Sequence, residues 1–389
     1  MQTVGLYIHV PFCASKCAYC DFYSFPGSEE AMDAYTGAVL RELDAWGAPS
    51  ELQADTVYFG GGTPSLLGGA RLTRILERAA CRFSLPAGAE VTLEANPADH
   101  LGPTLEAVCR AGVNRLSLGV QSGVPAELET LGRRHSLSDV ARTAEDAARA
   151  GIGNLSMDLM LAVPGQTMES LLASLRFLTG FSPDHISAYL LKIEEGTPFF
   201  HRRENLILPN EDEAADFYLA AVRELERRGW RQYEISNFAR PGKESRHNLK
   251  YWNAEPYLGL GPAAHSFLNG HRFYYPRDIK AYITGGPDRD GALQKLFPDT
   301  ADPAPVPPLY EGPGGDPAEY AMLRFRLTEG LNFEKFAARY GRPPAAELMR
   351  RAERFIWAGY MRADGKRLSF TARGFLLSNP ILADLLEEV

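Results

Sequence analysis

Three cysteines lie within eight positions near the start of the sequence, in the stretch CASKCAYC with the spacing C-x₃-C-x₂-C. Cys13, Cys17 and Cys20 are three of only five cysteines in 389 residues, too few for a disulfide framework. Thiolates are soft ligands that suit iron–sulfur clusters and zinc. A structural zinc site takes four protein ligands, so three thiols leave one metal position open, where chemistry usually occurs. The spacing therefore predicts a metal or cluster site with an open position, and the alternative is three buried apolar side chains.

The composition is typical of a globular protein, with 45% hydrophobic and 23% charged residues. A formal net charge of −8 and an isoelectric point of about 5.6 argue against broad electrostatic binding to nucleic acid or to an anionic membrane. We find neither a signal-peptide pattern at the N-terminus nor an apolar run long enough to span a bilayer. With unpaired thiols, these features lead us to expect a cytoplasmic protein.

The first two hundred residues alternate between strand-like and helix-like stretches. The strand-like stretches, rich in β-branched and apolar residues, are VGLYIHV, ADTVYFGG, AEVTLEAN, VNRLSLGVQ, NLSMDLMLAVPG and HISAYLLKIEEG. Between them lie segments whose apolar residues recur at i, i+3 and i+4. A closed barrel of parallel strands has about eight such units. Six units predict an α/β fold built on an open, partial (β/α)₆ barrel of the TIM type.

Polar, glycine-rich or thiol groups stand late in five successive strands. They are the cysteine loop, the GGGT stretch from Gly60 to Thr63, Glu94, Gln121 and Asp158. Active sites of parallel α/β barrels lie at the C-terminal ends of the strands. Any single group could be the start of a solvated loop, but together they predict one site.

The rest of the chain is expected to form smaller units. We place the partial barrel at 1–205, an α+β segment at 206–285, a Pro/Gly-rich linker at 286–318 and a mainly helical, winged-helix-like domain at 319–389. Asn210 is a predicted N-cap of a long helix. Cys81 and Cys109 fall in helix-like segments, and we expect both in the core.

The cysteine loop resembles a known one. HVPFCASKCAYC is similar to the cluster loop of radical S-adenosylmethionine (SAM) enzymes. The following DFYS and the later EISNFARPGKESRHNLKYW resemble HemW-type heme chaperones, which are relatives of the oxygen-independent coproporphyrinogen III dehydrogenases. The resemblance implies that Cys13, Cys17 and Cys20 hold a [4Fe–4S] cluster, with the fourth iron left for SAM.

The same resemblance implies a set of SAM contacts. Asp158 would bind the ribose hydroxyls, Arg133 the carboxylate, and Tyr19 would stack on adenine. The full set of implied SAM contacts is Tyr7, Tyr19, Gly61, Gly62, Thr63, Glu94, Gln121, Arg133 and Asp158. Alternatives are an ordinary glycine turn for GGGT and packed aromatic side chains for the two tyrosines.

The stretch HNLKYW matches a motif associated with heme binding in the chaperones. His247 would offer an imidazole to heme iron, and Tyr251 and Trp252 would offer apolar surface. The alternative is a buried histidine beside aromatic core residues. His265, in GPAAHSF, is the strongest rival as an iron ligand.

Two departures separate the chaperones from the dehydrogenases. The dehydrogenases carry another cysteine two positions after the third cluster cysteine, where this chain has Phe22, and they have an N-terminal extension before the cluster. The resemblance therefore implies a heme chaperone that passes heme to acceptor hemoproteins. Candidate acceptors are respiratory, membrane-associated hemoproteins, and a homodimer is a candidate oligomeric state. No catalytic residue is assigned. The alternatives are a coproporphyrinogen III dehydrogenase that uses a 5′-deoxyadenosyl radical in porphyrin biosynthesis, or a radical SAM enzyme with another substrate.

Overall fold

The six predicted strands are present in the computed structural model, which describes residues 2–47, 52–97, 101–285 and 308–387. They are β1 (Gln2–Val10), β2 (Leu52–Gly61), β3 (Glu90–Ala95), β4 (Arg115–Gln121), β5 (Asn154–Leu161) and β6 (His185–Leu190). All five neighbouring pairs are parallel and follow the order of the sequence. The described sheet continues beyond both β1 and β6 instead of closing, so the predicted open, partial barrel is confirmed.

Helices on the outside of the sheet connect the six strands. They are α1 (Glu29–Gly47), α2 (Gly68–Arg82), α3 (Gly102–Ala111), α4 (Pro125–Leu131), α5 (Leu137–Ala150) and α6 (Met168–Gly180). In α2 the buried residues Leu72, Ile75, Leu76 and Ala79 share one face, as a 3.6-residue period requires. Cys81 lies on α2 but is exposed, because it falls outside that face, so the expectation of a core position was wrong. Cys109 is half-buried and packs against the core.

The middle of the chain extends the sheet at both edges. It contains α7 (Pro198–His201), α8 (Glu211–Arg227), β7 (Arg231–Gln232), β8 (Asn237–Ala239), α9 (Arg246–Trp252), β9 (Tyr257–Leu260), β10 (His265–Leu268), β11 (His271–Tyr274) and α10 (Ile279–Thr284). β8 pairs antiparallel with β6, whereas β9 runs parallel to β1. Asn210 caps α8 through its side chain, which accepts a hydrogen bond from the backbone of Glu213, as predicted.

The predicted linker at 286–318 differs in part from the structure. Residues 286–307 lie outside the described residues, but β12 (Leu309–Pro313) pairs antiparallel with β11. A proline at the end of an edge strand is compatible with pairing because it removes no inner hydrogen bond of the sheet. The segment therefore completes one edge of the sheet in the order β12-β11-β10-β9-β1.

The last seventy residues form helices around a small antiparallel sheet. The elements are α11 (Pro317–Arg324), β13 (Leu331–Asn332), α12 (Phe333–Tyr340), α13 (Ala346–Trp357), β14 (Met361–Ala363), β15 (Arg367–Phe370), α14 (Ala372–Leu376) and α15 (Ser378–Leu385). Two backbone bonds attach this unit to the middle segment, from Ile235 to the Arg326 carbonyl and from Thr328 to the Tyr233 carbonyl. Among the described helices, none combines the length and hydropathy needed to cross a bilayer.

Candidate cluster and SAM site

Most of the predicted site residues line one cavity of about 130 Å³ at the C-terminal ends of β1 to β5. The predicted residues found there are Cys13, Cys17, Tyr19, Cys20, Gly61, Gly62, Thr63, Glu94, Gln121, Arg133 and Asp158. Parallel strands bring their C-terminal ends to one edge, which explains why residues far apart in the sequence meet here.

The three loop thiols face this cavity and have polar neighbours. The Arg133 guanidinium lies 3.6 Å from the sulfur of Cys17, and the Thr63 hydroxyl lies 3.4 Å from that of Cys13. Within the described residues, no three His, Cys, Asp or Glu side chains are close enough together to hold a single metal ion. Cys13, Cys17 and Cys20 all line the cavity, and thiolates are ligands that suit an iron–sulfur cluster.

The glycine-rich stretch holds the start of the cysteine loop. Gly62 and Thr63 donate backbone hydrogen bonds to the carbonyls of Val10 and Phe12, at 2.8 and 2.7 Å. A Cβ on Gly62 would lie 2.6 Å from the Phe12 carbonyl oxygen. The close approach that requires glycine at position 62 is therefore to the cysteine loop.

Arg133, in the loop after α4, is held by one residue just after β3 and by one residue of β4. Its guanidinium donates to Asn96 Oδ1 at 2.6 Å and to the Gly119 carbonyl at 2.5 Å, while Asn96 donates to Thr63 at 2.9 Å. Asn96 also lines the cavity, and sequence reasoning did not identify it. Its position two residues after Glu94 in LEANP could have identified Asn96, since alternate residues of a strand share a face.

Two half-buried acids line the cavity. Burial raises the pKa of Glu94 to about 7, although its hydrogen bond from Tyr58 at 2.8 Å acts in the opposite direction. Burial also raises the pKa of Asp158 to about 6, opposed by hydrogen bonds from serines that include Ser117 at 3.3 Å. A ligand that brings positive charge or hydrogen-bond donors would stabilise both carboxylates. Tyr58 and Ser117 were missed by sequence reasoning.

Gln121 has an uncommon backbone conformation. Its φ is +71°, and the pairing of β4 with β5 shifts register just before it. The side chain accepts a hydrogen bond from Tyr189 at 2.8 Å. A non-glycine residue with positive φ costs free energy and is often found at functional sites. Tyr19 also lines the cavity and packs near Phe199, with 6.4 Å between ring centroids.

Tyr7 lies outside this cavity. Its hydroxyl bonds Nδ1 of His9 at 3.1 Å, and its ring lines a second, larger cavity. The ring is nevertheless close to another predicted SAM contact, because a Cβ on Gly60 would lie 2.9 Å from the Tyr7 ring and 3.3 Å from the Glu94 carboxylate. A contact between Tyr7 and SAM therefore stays a prediction.

His247 is fully buried and lines neither cavity. Its Nδ1 lies 2.8 Å from the Thr56 hydroxyl, and its Nε2 lies 2.8 Å from the Tyr251 hydroxyl. Burial, with the nearby Lys250 charge, lowers the pKa of His247 to about 3. Neither ring nitrogen is free for iron in this structure, which corresponds to the alternative of a buried histidine among aromatic residues.

The second cavity has a volume of about 540 Å³ and lies beside the cysteine loop. Tyrosine and phenylalanine side chains form most of its wall, together with His9, His265 and Arg277. Phe22 lines both cavities and therefore stands between them. His265, the rival ligand identified in the sequence, faces this second cavity.

Two family models match separate parts of the chain. Residues 7–178 match the Radical SAM superfamily, and residues 316–377 match the HemN C-terminal domain. The fold is similar to that of the structure titled "Coproporphyrinogen III oxidase (HemN) from Escherichia coli is a Radical SAM enzyme", with a TM-score of 0.82 and 20% identity over 100% of this chain and 91% of that one. At this identity the likeness shows the fold alone.

Full-length relatives are more similar in sequence. The chain is 35% identical to the heme chaperone HemW of Mycobacterium tuberculosis, over 99% of this chain and 95% of the relative. It is 34% identical to the heme chaperone HemW of Escherichia coli, over 100% of this chain and 99% of the relative. Because the similarity extends across the barrel, the middle segment and the C-terminal unit alike, the chain belongs to the HemW family of the radical SAM superfamily.

Proposed function

We propose that this protein is a heme chaperone that binds heme and transfers it to acceptor hemoproteins. The observation that carries the proposal is the aromatic cavity of about 540 Å³ beside the cysteine loop, in a chain whose full-length relatives are named heme chaperones. The volume lies within the range of about 300–1,000 Å³ that is usual for small-molecule sites. Its aromatic wall suits a flat, apolar macrocycle.

The smaller cavity would serve a [4Fe–4S] cluster and SAM, which the radical SAM domain implies. Cys13, Cys17 and Cys20 would be the ligands of the cluster, since all three line one cavity. A reduced cluster with bound SAM supplies one-electron chemistry. Arg133 is suited to the carboxylate of SAM, because it is a buried cation held in place by Asn96.

Coproporphyrinogen III dehydrogenation is the second candidate, favoured by the whole-chain likeness of fold to the HemN structure. Phe22 argues against it, because the resemblance places a cysteine of the dehydrogenases at this position. A large exposed apolar side chain, 63% accessible, cannot replace a thiol in redox or ligand chemistry.

We further propose that the protein acts in the cytoplasm and delivers heme to hemoproteins of the respiratory chain. Full-length similarity to bacterial HemW proteins supports the first statement. The formal charge of −8 makes broad electrostatic attachment to an anionic membrane unfavourable, so a specific protein contact would guide delivery.

Three anaerobic measurements on the reconstituted protein test the proposal. Titration with hemin should give a saturable Soret band, and incubation with coproporphyrinogen III, SAM and a reductant should give no protoporphyrinogen. Hemin-loaded protein should also lose its Soret band when an apo-hemoprotein is added. Formation of protoporphyrinogen would establish dehydrogenase activity instead, and absence of hemin binding would refute the chaperone function.

A further inference from the structure

The wall of the second cavity is unusually rich in aromatic rings. Phe22, Tyr23, Tyr251, Tyr257, Tyr274 and Tyr275 all line it. They come from the segment just after the cysteine loop, from α9, from β9 and from the end of β11, so several separate parts of the chain converge on this space. Aromatic walls of this kind favour a planar ligand, because ring faces can stack over a large area.

Two histidines line the cavity, and only one offers a nitrogen. His9 is buried, with Nδ1 at 3.1 Å from the Tyr7 hydroxyl and Nε2 at 3.1 Å from the Tyr23 carbonyl. The side chain of His265 is 56% exposed, and its Nε2 has no hydrogen-bond partner among the described residues. His265 is therefore the one imidazole of this wall that can accept a metal.

His265 has a carboxylate and an aromatic ring as neighbours. Its Nδ1 lies 3.6 Å from the Glu311 carboxylate, and its ring stacks on Tyr274 with 5.2 Å between centroids. The carboxylate is beyond a normal hydrogen bond, so it attracts the ring without fixing its tautomer. β9 approaches His265 closely, since a Cβ on Gly259 would lie 2.2 Å from the His265 carbonyl oxygen.

A cation stands at the edge of the same cavity. The Arg277 side chain is 62% exposed, and its guanidinium lies 3.6 Å from the Asp21 carboxylate. That distance is beyond a normal hydrogen bond, so the guanidinium keeps donors for another anion. Arginine binds carboxylates with two parallel hydrogen bonds, as a propionate group would require.

We propose that the second cavity binds an iron porphyrin, with Nε2 of His265 as an axial ligand of the iron and Arg277 bound to a propionate. This rests on the proposed function and deepens it by naming the site. It also gives the HNLKYW motif a different role. His247 bonds the hydroxyl of Tyr251, whose ring lines the cavity, so His247 is a positioning residue for the wall and not an iron ligand.

Binding of hemin and of metal-free protoporphyrin IX to the full chain tests the assignment. His265→Ala should weaken hemin binding at least about tenfold and shift the Soret band, while protoporphyrin IX, which has no iron, should bind as to the wild type. Arg277→Gln should weaken both ligands by a similar factor, because both carry propionates. Imidazole added to His265→Gly should restore the wild-type Soret position.

Matched controls come from neighbouring positions. His271→Ala removes the other histidine of the same hairpin, and Lys280→Gln removes a nearby exposed charge; both should bind hemin as the wild type does. His247→Ala should keep the wild-type Soret position. If that variant does not fold, His247→Gln, which can still form hydrogen bonds with Thr56 and Tyr251, tests the same point.

The outcomes distinguish a wrong ligand assignment from a wrong function. Unchanged hemin binding by His265→Ala overturns the assignment, as does equal loss of hemin and protoporphyrin IX. A Soret shift in His247→Ala but not in His265→Ala returns the ligand role to His247 and leaves the chaperone function intact. No hemin binding by the wild type would refute the function and the site together.

Discussion

The five cysteines differ in their surroundings. Cys13, Cys17 and Cys20 are half-buried around one cavity, Cys81 is exposed on α2, and Cys109 packs against the core. We expect any single change to alanine in the loop to lower the iron and sulfide content after anaerobic reconstitution, because the cluster loses a ligand. Cys81→Ser should keep full content. A loop variant that retains the wild-type content would contradict the ligand assignment.

The raised pKa values of Glu94 and Asp158 predict pH-dependent SAM binding. At pH values below about 6 both carboxyls are largely protonated, since their pKa values are about 7 and about 6. The cationic ligand favours the ionised forms, so binding releases protons and its affinity should rise with pH. We expect SAM to bind about tenfold more weakly at pH 5.5 than at pH 7.5, measured by calorimetry on the reconstituted protein.

Asp158→Asn provides the control for this pH dependence. The amide does not titrate, so the variant should bind SAM more weakly at pH 7.5, by roughly ten- to a hundredfold, and should vary less with pH. An affinity that does not change between pH 5.5 and 7.5 in the wild type would rule out this role for the two acids.

At the residue scale, the sequence identified chemistry that local motifs carry. The cysteine spacing and the strand-end residues Glu94, Gln121 and Asp158 were placed in one cavity. Tyr7 lines the second cavity and stands near Glu94. His247 lines neither cavity, and its hydrogen-bond partners could not be predicted because they depend on contacts far away in the sequence. The Thr56 partner of His247, for example, is 191 residues earlier.

At the level of elements, β2 supports the cysteine loop through its glycine-rich end. Gly62→Ala should disturb the loop, because the added Cβ would lie 2.6 Å from the Phe12 carbonyl oxygen and 3.0 Å from that of Val10. Overpacking of this kind costs about 1–3 kcal/mol. We expect a lower melting temperature and a lower iron content, measured by calorimetry and metal analysis.

Gly37→Ala is the matched control for this change. Gly37 lies inside α1, and a Cβ there has its nearest neighbour at 3.7 Å. Alanine is the better helix former, so this variant should gain about 0.5–1 kcal/mol. Equal stability and iron content in both variants would show that the close contact at Gly62 does not hold the loop.

The elements of the barrel were predictable because each repeats a local pattern. Alternating apolar stretches, periodic helix faces and the Asn210 cap can all be read within a few turns or strands. β9 and β12 were not predicted as parts of the main sheet. β9 pairs with β1 across about 250 residues. β12 falls in a Pro/Gly-rich stretch, and no local sequence pattern predicts that it pairs with β11.

Across the whole molecule, Glu234 lies where the C-terminal unit meets the middle segment. It forms an isolated β-bridge with Leu327 and is 1% exposed. Burial raises its pKa to about 7, above the ordinary value of 4.5. The folded state therefore holds a proton that the unfolded state releases, so this contribution to stability is complete below about pH 4.5 and is lost as the pH rises to about 7.

Glu234→Gln, which stays neutral, should reveal this loss. Relative to the wild type, the variant should become more stable by about 1–3 kcal/mol on going from pH 5 to pH 8, measured by urea unfolding. Glu226→Gln, at an exposed position of α8, should show no such change. If the difference between wild type and Glu234→Gln is independent of pH, Glu234 is not the titrating group.

Phe22 forms part of the wall of both cavities and follows the last cluster cysteine by two positions. The segment that would hold the cluster is thus also part of the cavity proposed for heme. A loop that moves when the cluster assembles would move Phe22 with it, so the affinity for heme would depend on whether the cluster is present. In a cell short of iron, protein without a cluster would bind heme less well. Heme delivery would then follow the supply of iron–sulfur clusters without a separate regulator. Hemin affinities of the same preparation before and after reconstitution should differ; equal values would remove this dependence.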